Sequence, residues 1–117
     1  MTDDTPSRSE VLQGTLEMLT LKALTLQPMH GWGISIRLRQ ISGDVFDVNQ
    51  GSLYPALQRM LRRGWIRAYY ADSENNRKAR YYEITRDGLA QLEAQMAEWD
   101  RSSRAVNRIL RFASQGA

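Results

Sequence analysis

From Val11 to Gln27 the apolar residues Leu12, Leu16, Leu19, Ala23 and Leu26 recur at spacings of three and four, flanked by Leu21 and Leu24. That is the period of an amphipathic helix with a broad buried face. Pro28 to Gly31 interrupts the pattern, and His30-Gly31 reads as a turn. Ile34, Ile36, Leu38 and Ile41 then predict a shorter second helix stopped at Gly43. Asp44 to Gln50 reads as a connection, with a short extended piece at Val45, Phe46 and Val48. Leu53, Leu57, Met60 and Leu61 line one stripe of a third helix over about 51–63, closed by Gly64. Proline is tolerated best in a first turn, so Pro55 puts the start at Gly51 or Ser52, with Ser52 as the N-cap. The opposite face presents Ser52, Gln58, Arg59, Arg62 and Arg63.

Trp65 to Asp72 and Ala79 to Thr85 are rich in aromatic and β-forming residues, and the segment between them is polar throughout. This predicts a β-hairpin, with Ile66, Ala68, Tyr70, Tyr82 and Ile84 facing inward and Asn75 and Asn76 at the tip, where left-handed backbone is tolerated. Thr85 is the expected N-cap of the last helix, Asp87 complements its dipole, and Gly88 weakens its first turn. Leu89, Leu92, Met96, Trp99, Ser103, Val106, Leu110 and Ala113 step by three and four alternately, which is a heptad seam broken only by Ser103. At 1.5 Å per residue this seam spans about 37 Å, longer than a globule roughly 30 Å across built from the rest of the chain. The uncovered apolar positions predict a homodimer interface made by Leu89, Leu92, Met96, Trp99, Val106 and Leu110.

The fold expected is therefore mainly α with a small β-hairpin: a winged helix-turn-helix DNA-binding domain over 11–85 and a long C-terminal dimerisation helix over 86–113. Charge sharpens this picture. The 117 residues hold 16 Lys+Arg against 13 Asp+Glu, and 14 of the 16 are Arg, the side chain suited to bidentate contacts with phosphates and guanine edges. Between Arg59 and Arg80 seven basic residues face only Asp72 and Glu74, a local +5 that exceeds the +3 of the whole chain.

With no Cys and one His, neither a zinc framework nor a thiol nucleophile can be assembled. No Gly-rich phosphate loop or converging carboxylate pair is present, so no enzyme, cofactor or metal site is expected. Asp3 and Asp4 stand where a secretory leader carries positive charge, and no apolar run approaches a membrane span, so a cytoplasmic protein without a membrane partner is expected.

Double-stranded DNA is the partner this frame and charge predict, with the third helix in the major groove and the wing, about 73–79, on backbone or minor groove. Gln58 suits adenine, Arg59 or Arg62 suits guanine, and Ser52 and Tyr54 can donate to phosphates, with Gln50 and Arg63 in the same DNA-facing set. Arg77 and Lys78 on the wing can hold a phosphate or enter a narrow minor groove, beside Asn75 and Asn76 as neutral donors. A dimer would demand a palindromic operator. The competing reading is a protein-interaction module on the same frame, against which the +5 segment argues. Met96 and Trp99 would meet their symmetry mates where two last helices cross, either as interface core or as a sandwich for a small aromatic effector. Trp32 reads as a core or interface aromatic. Arg101, Arg104, Arg108 and Arg111 read as a solvated face or as partners of Glu93, Glu98 and Asp100 across the dimer.

Several stretches carry a family resemblance, in order: Leu12-Gln13-Gly14-Thr15-Leu16-Glu17-Met18-Leu19, His30-Gly31-Trp32, Gln50-Gly51-Ser52-Leu53-Tyr54-Pro55-Ala56-Leu57, Arg63-Gly64-Trp65-Ile66 and Arg80-Tyr81-Tyr82-Glu83-Ile84-Thr85. The chain resembles the PadR family of winged-helix transcriptional regulators from Val11 to Gly88. Glu74 to Arg77, Gly43 to Gln50 and Trp99 to Leu110 are further similar to the short branch abundant in acidobacteria. The resemblance implies a homodimeric repressor whose third helix and wing lie on operator DNA and whose last helix packs between subunits. Only one helix follows Gly88, so the inducer of the longer, phenolic-acid-responsive members is not implied. Other short members hold flat aromatic compounds through a helix Trp, a position similar to that of Trp99.

Overall fold

The computed structural model describes residues 15–113. Its elements are α1 (Leu16–Leu24), β1 (Met29–His30), α2 (Gly31–Ile41), α3 (Gln50–Arg62), β2 (Ile66–Asp72), β3 (Lys78–Ile84) and α4 (Arg86–Arg111). The expected first turn of helix one, Val11 to Gly14, lies outside the described residues. The chain is mainly helical, with a small antiparallel sheet in the order β1-β3-β2 and a long final helix.

The core is formed where α1, α2 and α3 meet the base of the sheet. Leu21, Ile34, Leu53, Leu57 and Met60 are fully enclosed there, and Leu16, Leu24, Met29, Leu38, Val48, Ile66 and Tyr82 belong to the same cluster, which Leu92 of α4 joins. Leu26, Ile36 and Ile41, counted on apolar stripes from spacing alone, are exposed. α1 ends at Leu24, so Leu26 lies past the helix whose face it was expected to share.

Three expectations are corrected. First, the sheet has a third strand. Met29 pairs with Tyr82 and His30 with Tyr81, and His30 is no turn residue but the N-cap of α2, its Nδ1 accepting the Gly33 N–H at 3.0 Å. A ring nitrogen here satisfies one of the orphan donors of the helix start. Second, no strand forms over 45–48. The chain instead turns at Gly43 and Asp44, both at positive φ (65° and 67°). Third, α3 begins at Gln50 with Asn49 as its N-cap, Oδ1 accepting the Ser52 N–H at 2.8 Å. Pro55 therefore sits inside the helix and leaves the Gly51 carbonyl without its i+4 donor. Both residues are exposed, so solvent can meet that carbonyl.

β2 and β3 pair from Ile66↔Ile84 to Asp72↔Lys78. Tyr70 shares a face with Ile66 and Ala68, yet it is 67% exposed rather than inward. At 3.3 Å per residue it stands about 13 Å up the hairpin from Ile66, beyond the reach of the core. α4 is anchored at its first turn. Thr85 Oγ1 donates to the Gly64 carbonyl at 2.6 Å and accepts the Gly88 N–H at 3.1 Å, and the Thr85 N–H donates to the Trp65 carbonyl at 3.0 Å. Gly88 lies so close to that carbonyl that an added Cβ would sit 2.0 Å from its oxygen, which explains a glycine inside a helix.

Candidate nucleic-acid interface

α3 buries Leu53, Ala56, Leu57 and Met60 on one face, leaving Gly51, Tyr54, Pro55 and Arg62 exposed on the others. Of the basic residues expected to reach DNA from this helix, two are engaged. Glu17 on α1, whose side chain is only 15% exposed, takes the Arg59 guanidinium at 2.9 Å and that of Arg63 at 3.6 Å. Arg63 also lies over the Trp65 ring, 5.1 Å from its centroid. Arg62 has no such partner among the described residues. Sequence pattern could not reveal this, because Glu17 and Arg59 are 42 positions apart.

Gln50 is exposed, but its amide is committed: Nε2 donates to Ser35 Oγ at 2.7 Å and to the Gly31 carbonyl at 3.3 Å. It ties the start of α3 to α2 and so fixes the helix-turn-helix angle. Gly31 allows the approach, since a Cβ there would stand 2.9 Å from Gln50 Oε1. Gln58 is half-buried, and its Nε2 is enclosed without a partner. Ser52 is half-buried and gives its N–H to the Asn49 cap.

The wing tip runs from Ser73 to Arg77, closed by Ser73 N–H to Arg77 O at 2.8 Å and Asn76 N–H to Ser73 O at 2.9 Å. Asn76 takes the left-handed conformation (φ 59°), as its place at the tip predicted. Asn75, Asn76, Arg77 and Lys78 are all exposed. The wing is also braced against α2. His30 Nε2 lies 3.4 Å from Glu74 Oε1, and the His30 ring meets Tyr81 edge-on at 5.3 Å, with Tyr81 stacked on Tyr69 at 5.8 Å. Hydrogen bonds from its own backbone and from His30 hold the Glu74 carboxyl below the usual carboxylate range. Burial pushes the Tyr82 phenol up.

On α4, Leu92 is buried in the chain's own core (4% exposed), a correction to its expected place on a dimer seam. Leu89, Met96, Trp99, Val106 and Leu110 are exposed, together with Ile109 and Phe112. Arg101 and Arg104 pair within the helix, with Glu98 at 2.6 Å and Asp100 at 3.0 Å, so these two need no cross-subunit partner. A cavity of about 270 Å³ between α1 and α4 is lined by Thr15, Met18, Gln95, Glu98, Trp99 and Ser102. Met96 is outside that lining, whereas Gln95, absent from the expected set, belongs to it, with its Oε1 enclosed and without a hydrogen-bond partner. Among the described residues no group of His, Asp and Glu could hold a metal ion, and no helix is long and apolar enough to cross a membrane.

Three helices, a recognition helix held at a fixed angle and a basic hairpin beside it define a winged helix-turn-helix DNA-binding protein. The sequence profile of the Transcriptional regulator PadR-like family matches residues 20–94, and the chain belongs to that family. A PadR-like transcriptional regulator from Bacillus cereus is 32% identical, with a TM-score of 0.76 over 89% of this chain and 99% of that one. A PadR family transcriptional regulator from Eggerthella lenta is 25% identical, with a TM-score of 0.71 over 88% and 84%. A transcriptional regulator from Clostridium thermocellum shares the fold, with a TM-score of 0.80 at 24% identity over 87% and 99%. Family membership makes the chain a DNA-binding transcriptional regulator and not an enzyme.

Proposed function

We propose that the chain is a homodimeric, cytoplasmic repressor of the short PadR branch that reads a palindromic operator in double-stranded DNA. Residues 11–85 form the DNA-binding unit and 86–113 the dimerisation helix. The observation that carries this is the outward edge of the fold: the exposed side of α3, with Tyr54 and Arg62, stands in one chain segment with the exposed Arg77 and Lys78 of the wing, in a stretch of net charge +5. α3 enters the major groove. Arg62 meets base edges, Gln58 joins it only by turning its enclosed amide outward, Ser52 and Tyr54 meet phosphates, and the wing lies on backbone or minor groove. Arg59 and Arg63 reach DNA only by leaving Glu17.

Dimerisation is supported by α4. Its 26 residues span about 39 Å. The row Leu89, Met96, Trp99, Val106 and Leu110 stays exposed among the described residues. Two such subunits would place their recognition helices in successive major grooves about 34 Å apart. A small aromatic effector would occupy the Trp99 cavity, where Met18 offers a soft apolar wall, with Met96 at the interface beside it.

Sequencing the duplexes retained by the purified protein from random DNA tests the reading. A palindromic consensus is expected, with affinity falling by about 0.9 log units per log salt for each phosphate contacted. Sedimentation should give twice the 13.5 kDa chain mass. A monomer, or salt-insensitive binding, refutes it.

A further inference from the structure

A cleft of about 390 Å³ opens between the start of α2, the first half of α3 and the wing, lined by Trp32, Tyr54, Asn75, Arg80 and Tyr82 among others. Three features distinguish it. Trp32 stands in the first turn of α2 and is 65% exposed, with no described residue closing over it. Arg80 is half-buried on β3 over the Tyr82 ring, 5.7 Å from its centroid, and has no carboxylate partner among the described residues, whereas Arg67 on β2 is matched to Glu83 at 2.9 Å. No Asp or Glu lines the cleft among the described residues, and the nearby wing carboxylate, Glu74, turns toward His30. A partly desolvated guanidinium without a counter-charge, next to an uncovered indole and a phenol, is matched by a ligand alternating anionic and apolar units. The sugar–phosphate backbone has that alternation. The N-terminal end of α2 adds a weaker preference for negative charge at the same place.

We propose that this cleft seats the backbone of one DNA strand between recognition helix and wing, with the Trp32 indole packed on a deoxyribose and Arg80 on the adjoining phosphate. The inference rests on the DNA-binding reading above and adds two contact residues to it. Tyr54, across the cleft, donates its hydroxyl to the same strand. Such contacts fix register and hold any sequence equally, so they raise affinity without choosing bases.

The test uses the full chain with two probes: a duplex selected from random DNA, and an unrelated duplex of the same length. Trp32→Ala should bind both about tenfold more weakly, the size expected when roughly 60 Å² of apolar contact is lost, with an unchanged salt slope. Arg80→Gln should lower the slope by about 0.9. In the selected duplex, single phosphates replaced in turn by neutral methylphosphonate should reveal one position whose neutralisation weakens the wild type but not Arg80→Gln. Trp32→Ala binding like the wild type at unchanged melting temperature overturns the proposal, and so does a methylphosphonate profile identical for wild type and Arg80→Gln. If Trp32→Ala melts early, the methylphosphonate comparison decides alone. A wild type that binds neither duplex refutes the DNA-binding reading itself, a distinct result.

Discussion

Replacing Gly88 with alanine separates two physical effects of opposite sign. In an open helix the change stabilises by about 1 kcal/mol, through a smaller loss of backbone entropy. At this position the new Cβ would stand 2.0 Å from the Trp65 carbonyl oxygen, 2.8 Å from Ile84 Cγ1 and 3.0 Å from the Trp65 carbonyl carbon. Ordinary carbon–oxygen contact is about 3.3 Å, so backbone must retreat by more than an ångström. Overpacking of that kind costs about 2 kcal/mol. The retreat also breaks the bonds from Thr85 to the Trp65 and Gly64 carbonyls, each worth about 1 kcal/mol. Against the propensity gain, the net expectation is a loss of about 3 kcal/mol. Urea unfolding at one fixed protein concentration, followed by helical circular dichroism, measures it. Ala90→Gly, exposed two residues on, is the companion variant and should lose about 1 kcal/mol. If Gly88→Ala is neutral or more stable than the wild type, α4 is not docked on the Trp65 carbonyl and the geometry described for its first turn is wrong.

Three further outcomes are expected. Gln50→Ala should cost about 1–2 kcal/mol in the same assay by removing both amide bonds to α2, and should weaken DNA binding through the lost helix angle; unchanged binding would show that the angle is set elsewhere. Glu17→Gln should cost at most about 1 kcal/mol, because the paired guanidiniums are partly solvated, while steepening the salt dependence of DNA binding as Arg59 and Arg63 are released. An unaltered slope in Glu17→Gln would show that neither arginine reaches DNA. The depressed Glu74 carboxyl stabilises the folded wing above the ordinary carboxylate range and loses that contribution as pH falls through its lowered value. NMR shifts of the His30 and Asn76 amides should therefore move together at acid pH, and Glu74→Gln should abolish the transition.

Periodicity alone located α3, the hairpin and α4, because each has a strong local signal: the Leu53/Leu57/Met60 stripe, aromatic strands around a polar tip, and Thr85 before a long heptad run. β1 was not legible, since two residues after a proline carry no alternation and their pairing with Tyr81 and Tyr82 is set more than fifty positions away. The cap of α3 was misplaced by one rule outweighing another. Pro55 argued for a late start, yet Asn49 is a strong capping side chain, and a solvent-facing helix tolerates an interior proline. Composition marked the basic segment, but it could not separate the guanidiniums held by Glu17 from Arg62, which no carboxylate restrains among the described residues.

The same long-range contacts tie the parts together mechanically. The end of α3, the start of β2 and the start of α4 meet at one corner, where Gly64 (φ 76°) and Trp65 offer carbonyls to Thr85, and Gly88 brings the α4 backbone against them. Gly88 leaves no room there for even a methyl group, so a shift of the first turn of α4 toward the corner presses directly on Trp65, which joins the end of the recognition helix to β2. A displacement of the first turn of α4 would thus bear on the end of the recognition helix and on the wing strand β2 through these four residues.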